Sequence, residues 1–442
     1  MMKKACWLGL CGVVLLTGCA SRFASMENIE QEKMNRTKID FSKTKDQVTE
    51  YIRKYIPDVN DRQLLNWEGE KSLECMVIDG QKMYFNNAAP NLFRINKEAI
   101  AIKQAKDGVE QDGKDKVNLV HVPQVVSEAK ANHQTILHPV RMRVKYTLTV
   151  KPNMVPQGEL LRCWLPFPRT DQPRQSDVKL ISTSENKYLL APAKYKHSTL
   201  YMEKKQEKDQ PTVFTAEYEY TSSAEYHQQK PEDIKPYKMD TPLYKEYTSE
   251  REKHVRFTPH IKELAQQIVG NEQNPLLKVK RIYEWINQFP WASAREYSTL
   301  DNIPEYVLDN KHGDCGQVSL LFITLARYCG IPARFQSGFM MHPGGTNLHD
   351  WAQIYFEGIG WIPVDQSFGL FPSKNEDEKY FFMTGIDSYR MIVNDDYSYP
   401  LYPKKKFMRS ETVDFQRGEV EWSKGNLYFN QWKWNIEVEY LR

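Results

Sequence analysis

Cysteine is scarce in this chain, and long apolar runs are scarcer. Seven cysteines stand in 442 residues, and three of them fall within the first 19 positions. The rest of the chain has only Cys75, Cys163, Cys315 and Cys329. Four scattered cysteines exclude a disulfide-stapled scaffold, and no Cys/His pair in the core sequence has the spacing of a zinc site. No calcium-loop pattern appears either. Beyond the leader, no apolar run approaches the roughly 18 residues that cross a bilayer. An excess of one charge is also missing: 60 Lys and Arg face 57 Asp and Glu. That balance, with no nucleic-acid module in the text, argues against a nucleic-acid partner. Length and a 12% aromatic content instead allow two or three domains with sizeable cores of their own.

The first residues set a compartment. Lys3 and Lys4 precede ACWLGLCGVVLL (5–16), an apolar stretch too short to span stably. Leu16-Thr17-Gly18-Cys19 closes it and resembles the lipobox of bacterial lipoproteins. That resemblance implies a signal peptide over 1–18, cleavage before Cys19, and lipid on the sulfur and new N-terminus of Cys19. Three acyl chains anchor far better than one. Ala20, which is not an aspartate, implies sorting to the outer membrane and leaves the membrane face open. The expected location is the cell envelope, with lipid as the only membrane attachment.

Patterning divides the rest. Residues 19–40 are polar and read as a tether. A mixed module over 41–139 opens with a helix from about Ser42 to Ile56, ended by Pro57. It continues with a hairpin at Asp79-Gly80 and a helix over 94–107. From 140 to 225 apolar residues alternate, as in Met142, Val144, Tyr146, Leu148 and Val150. This reads as a β-sandwich. Helices return over 250–400, with Thr258-Pro259 and Asn274-Pro275 as start signals. A third helix, Gly316 to Tyr328, is apolar on most sides. Strands 333–341, 349–358 and 360–365 follow it, giving a helix packed on an antiparallel sheet. The segment 401–442 is strand-rich and fits either the catalytic sheet or the sandwich. The fold class is therefore multidomain α+β.

Lys311-His312-Gly313-Asp314-Cys315-Gly316-Gln317 carries the chemistry. It places Cys315 at a loop-to-helix junction, where unpaired N–H groups and the helix dipole favour a thiolate. Gly313 and Gly316 allow close approach, and the Cys315 backbone N–H can serve a developing oxyanion. His349 opens a strand after HPGGTNL (342–348), with His342 as the weaker rival. Asp365 ends the next strand, and a hairpin can bring it beside His349 to fix the imidazole. Taken alone, each residue has a plain structural reading. Cys315 is then a small buried hydrophobe, as Cys329 is expected to be, His349 an edge histidine and Asp365 a turn carboxylate.

The segments KHGDCGQVSLLFITLARYCGIPARFQSGF (311–339) and LHDWAQIYFEGIGWIPVDQSFG (348–369) resemble the transglutaminase-like superfamily, whose core is of papain type. CWLPFPR (163–169) resembles a strand of sandwich domains that precede such cores. The resemblance implies Cys315 as nucleophile, His349 as general base and acid, and Asp365 as the orienting group. No cofactor or metal is implied. The expected reaction is acyl transfer through a thioester on Cys315: hydrolysis of a peptide or amide bond, with protein crosslinking or non-enzymatic peptide or glycopeptide binding as alternatives. Expected partners are peptides, proteins or peptidoglycan stems; the oligomeric state is left open. The chain departs from the commonest family text at Val318 and Ser319, where many relatives carry an aromatic residue. It departs again at Asp350, where an acid replaces the usual small residue between the histidine and the tryptophan; Asp350 and Glu357 either attract a basic substrate group or stand as solvated edge residues. Gln288, Trp291 and Tyr297 lie where a second oxyanion donor is expected, and no spacing selects one. Gly338, Trp351 and Trp361 are expected to shape the fold or cleft.

Overall fold

The computed structural model describes residues 29–109 and 113–441. Cys19 and the leader lie outside them. Two compact units divide the chain at Leu92.

In the first unit, residues 29–40 form α1. Helices α2 (Lys45–Arg53) and α3 (Asp61–Gly69) follow, then the hairpin of β1 (Cys75–Ile78) and β2 (Gln81–Tyr84). Thr44 and Asn60 open the two helices as capping boxes, each accepting from the backbone N–H three residues on. Asp79 and Gly80 both take positive φ, 49° and 79°, which an Asp-Gly hairpin turn requires. The helix expected over 94–107 is two helices: α4 (Ala88–Ile95), within which the first unit ends, and α5 (Lys97–Asp107), which belongs to the second. Asn96 causes the break: its side chain accepts from the N–H groups of Glu98 and Ala99 and caps α5.

The second unit contains α6 (Gly113–Asn132), which the apolar pattern did not announce. Its buried face mixes Asn118 and His121 with valines, and Pro123 lies inside it. Next come β3 (Ile136–Val150), β4 (Leu160–Pro166), β5 (Gln175–Thr183), β6 (Tyr188–Leu190), β7 (Thr199–Lys205) and β8 (Thr212–Tyr226). The helical part holds α7 (Pro242–Tyr247), α8 (Pro259–Val269), α9 (Pro275–Ile286), α10 (Ile303–Asn310) and α11 (Cys315–Tyr328). It leads into β9 (Ala333–His342), β10 (Gly345–Phe356) and β11 (Gly360–Val364). Short helices α12 (Glu376–Lys379) and α13 (Phe381–Thr384) precede β12 (Gly385–Ile386) and β13 (Arg390–Asn394). Strands β14 (Glu419–Trp422), β15 (Gly425–Leu427) and β16 (Trp432–Leu441) end the chain.

Three antiparallel sheets organise this unit. One runs β12-β8-β3-β16, with β5 also on β8; a second runs β15-β14-β4-β7-β6. Met142, Tyr146 and Phe214 of the first meet Trp164, Met202 and Val420 of the second in one core. The terminal strand β16 pairs with β3 from Trp432 opposite Val150 to Leu441 opposite Arg141. The C-terminus thus returns to the sheet pair. The third sheet, β11-β10-β9-β13, carries the candidate site.

Helix α11 packs on one face of that third sheet and is buried from Gly316 to Arg327. Its Leu320, Phe322 and Ile323 join Ile282 of α9, Ile303 of α10, and Phe335, Ile354 and Val364 of the sheet in one cluster. Phe339, Met341, Met391 and Val393 face the other way, into the core of the sheet pair. The third sheet is therefore fixed on both faces. Gly338 makes the β9–β13 pairing possible, because a Cβ there would overlap the Met391 carbonyl oxygen. Among the described residues no helix is long and apolar enough to cross a membrane.

Candidate active site

Asp314 caps α11, and Cys315 is its first residue. The Asp314 carboxylate accepts from Gln317 N–H at 3.0 Å, while Gln317 Oε1 accepts from Asp314 N–H at 3.2 Å. This capping box sets where the helix starts, and so where the sulfur sits. The segment before α10 lies across that start: Ala292 N–H donates to the Gly313 carbonyl at 3.1 Å. Tyr297 donates its hydroxyl to Asp314 Oδ1 at 2.6 Å. Gly316 is required here, since a Cβ would collide with the Tyr297 hydroxyl and the Asp350 carboxylate.

His349 and Asp365 meet as expected. Strands β10 and β11 pair with Ala352 opposite Val364, and Asp365 follows directly. His349 Nε2 lies 2.7 Å from Asp365 Oδ2. The other carboxylate oxygen accepts from the Ser367 hydroxyl at 3.0 Å and Phe368 N–H at 3.2 Å. His349 does not open its strand, however. β10 begins at Gly345, and His349 pairs with Gly338 well inside it. The supposed loop 342–348 is mostly ladder, turned at Pro343-Gly344, where Gly344 has φ 73°.

His342, the rival, is fully buried, with Nε2 3.1 Å from Asp387 Oδ1. Asp387 joins it to the His349 pair through Arg390. Arg390 donates to Asp387 Oδ2 at 2.6 and 3.1 Å, and its Nη1 lies 2.9 Å from Asp365 Oδ2. Arg390 is wholly buried on β13. No motif marked Arg390 or Asp387, because they meet Asp365 only through sheet pairing across distant sequence.

Cys315 makes a different contact from the one expected. Its sulfur donates to Asp350 Oδ2 at 3.4 Å, and no hydrogen bond joins it to His349. Burial, then the charges of Asp350 and Asp314, push the thiol well above its ordinary value. Burial and the two neighbouring acids thus work against the thiolate that the helix start was expected to favour. Burial pulls His349 down, against Asp365. Burial would raise Asp365, but His349 and Arg390 outweigh it and hold the carboxyl below its usual range. Both shifts favour the uncharged forms, a thiol and a neutral imidazole. Because Nε2 faces a carboxylate, Nε2 carries the proton and Nδ1 is the free base.

A cleft of about 240 Å³ opens at Cys315, lined among others by Trp291, Tyr297, Leu348, Asp350 and Asp414. One wall comes from residues 411–417, a stretch without periodicity that sequence patterns could not place. Within it Gln416 donates to the His349 carbonyl at 2.9 Å and to Asp350 Oδ1 at 2.8 Å. Trp291 and Tyr297 thus face the cleft, whereas Gln288 donates to the Trp285 carbonyl at the end of α9. Trp351 is buried and donates to Gln336 Oε1 at 2.8 Å. Trp361 lies beneath the Arg334 guanidinium, 4.2 Å from the ring centre. Glu357 is away from the cleft, where it faces Lys238. Cys329 caps the far end of α11.

Residues 262–366, from α8 to just past Asp365, match the transglutaminase-like superfamily, so the site sits in a transglutaminase-like domain. An uncharacterized protein of Haemophilus influenzae is 27% identical over 53% of this chain and 70% of its own length. A protein-glutamine gamma-glutamyltransferase of Pseudomonas aeruginosa is 22% identical over 30% of this chain, which spans 21% of that relative. A solved structure of a candidate cysteine protease from Cytophaga hutchinsonii covers 70% of this chain and 92% of its own, with 13% identity and a TM-score of 0.47.

Proposed function

We propose that this protein is a cysteine-dependent acyl-transfer enzyme that hydrolyses a peptide or amide bond. The observation that carries the reading is the buried His349–Asp365 pair at 2.7 Å, on the strands packed against the helix that Cys315 opens. In the reacting complex His349 Nδ1 takes the Cys315 proton as sulfur bonds to the carbonyl carbon. His349 then returns that proton to the leaving nitrogen as the C–N bond breaks, and a thioester remains. Water, losing a proton to His349, attacks the thioester and releases the acid and the thiol. Asp365 holds the tautomer throughout. The Cys315 N–H at the helix start is positioned for one side of the oxyanion.

The two five-stranded sheets, taken as a β-sandwich, brace the outer face of the catalytic sheet. Lipid on Cys19 holds the protein in the cell envelope, where peptides, proteins and peptidoglycan stems supply amides. The transferase named among the relatives supports a second outcome, in which a substrate amine replaces water. The contact of Cys315 with Asp350, not His349, favours a third, a binding cleft without turnover. Purified protein is offered a pool of peptides and peptidoglycan fragments, with and without an added primary amine, and products are read by mass. Hydrolysis products are expected in both arms and none with Cys315→Ala. Amine adducts with little hydrolysis would replace the hydrolase reading by the transferase one.

A further inference from the structure

Five carboxyl groups line the cleft at Cys315: Glu296, Asp314, Asp350, Glu411 and Asp414. Four have partners. Arg417 lies 3.0 Å from Glu296 and 2.6 Å from Glu411. Asp314 has Tyr297 and Gln317 N–H. Asp350 has Gln416 on one oxygen and the Cys315 thiol on the other. Asp414 is the exception. It is only 8% exposed, it lines the cleft, and its carboxyl group takes part in no hydrogen bond or ion pair with the described residues. The other lining cation, Arg295, stands with its guanidinium over the Tyr306 ring, 5.2 Å from its centre.

We infer that the cleft is a subsite for a substrate ammonium group, held by Asp414 together with Asp350 beside the reacting sulfur. The inference takes from the acyl-transfer reading only that this cleft receives substrate. A buried carboxyl without a partner is costly as an anion. Burial, then Glu411, accordingly pushes Asp414 well above its ordinary value. An entering ammonium relieves that cost and gains a charge partner in a site of low dielectric. Among the described residues no group of three or more acid, histidine or cysteine side chains is arranged to hold a metal ion. Trp291 and Leu348 on the lining offer apolar surface to the stem of a lysine-like chain. Asp414 and Asp350 line the same cleft, and Asp350 Oδ2 is 3.4 Å from the sulfur. The recognised amine therefore lies next to the scissile bond.

The test reads charge preference at Cys315 without needing turnover. Three methanethiosulfonates are compared: aminoethyl, sulfonatoethyl and the neutral methyl reagent. In each, sulfur bonds to sulfur and a sulfinate leaves. The cation-to-anion rate ratio at Cys315 should exceed that of a free cysteine amide by about tenfold or more. Asp414→Asn should lower the ratio severalfold toward the free-thiol value, each rate being taken relative to that variant's own rate with the neutral reagent. In the wild-type protein, n-pentylamine should protect Cys315 from the neutral reagent and n-pentanol should not, which covers a variant that fails to fold. A free-thiol ratio in the wild type, a ratio unmoved by Asp414→Asn, or equal protection by amine and alcohol would overturn the subsite. Failure of the acyl-transfer reading shows separately, as absent hydrolysis in the peptide pool with the charge preference intact.

Discussion

Arg390 holds two buried carboxylates at once, Asp365 at 2.9 Å and Asp387 at 2.6 Å. Burial works against all three charges; the Arg390 guanidinium nevertheless ends above its ordinary value because both acids face it. Burial raises Asp387, but Arg390 and His342 outweigh it and hold the group well below the usual carboxylate range. Since Asp365 is also lowered, the sign is the same for both: their contribution to stability is complete above pH ~4 and is lost as pH falls through the lowered folded values. Arg390→Met takes the shared cation from two buried anions, leaving them His349 and His342, and should cost about 3–5 kcal/mol at neutral pH. Urea denaturation from pH 7 down to pH 3 checks both points: the variant's deficit should shrink as the acids protonate. A deficit that is constant with pH would mean that Arg390 contributes packing alone. The residues of the proposed triad could be read from spacing and family resemblance, because each sits in a short motif. Arg390, Asp387, Gln416 and Asp414 could not. Each reaches the site through strand pairing or an irregular segment, and nothing local to their sequence shows it.

At the scale of elements, α11 and β10 position the chemistry, and both were legible where local rules dominate. Asp314 as cap, the apolar run of α11 and the glycine turn between β10 and β11 are all local signals. Local rules misplaced the start of β10, since Thr346, Asn347 and Leu348 owe their strand conformation to Met341, Met340 and Phe339 opposite. They also missed β13, whose place depends on Gly338. Gly338→Ala would drive a methyl group into the Met391 carbonyl and push β13, with Arg390, away from β9. The expected cost is about 3 kcal/mol, seen as a lowered urea midpoint together with slower Cys315 labelling. Unchanged stability would show that the sheet has slack at that pairing.

For the whole molecule, the third sheet is clamped between α11 with its neighbouring helices and the core of the sheet pair. Cleft walls come from both sides of that clamp: Trp291 and Tyr297 precede α11, while residues 411–417 follow β13. In the proposed function, lipid on Cys19 holds the molecule on a membrane. Cys19→Ser should abolish lipid labelling and release the protein from the membrane fraction; retention with labelling intact would remove the anchor from the account. The central claim is that Cys315 is a nucleophile served by His349. Its most direct measurement is the rate at which a small neutral alkylating reagent modifies each cysteine. Burial raises Cys75 and Cys163, and takes Cys329 up to about 11; it raises Cys315 as well, so what sets Cys315 apart is its cleft and the His349–Asp365 pair on the adjoining strands. The account predicts that Cys315 reacts fastest of the four and that His349→Ala slows it by about 100-fold. Equally sluggish labelling at all four cysteines, unmoved by His349→Ala, would contradict it.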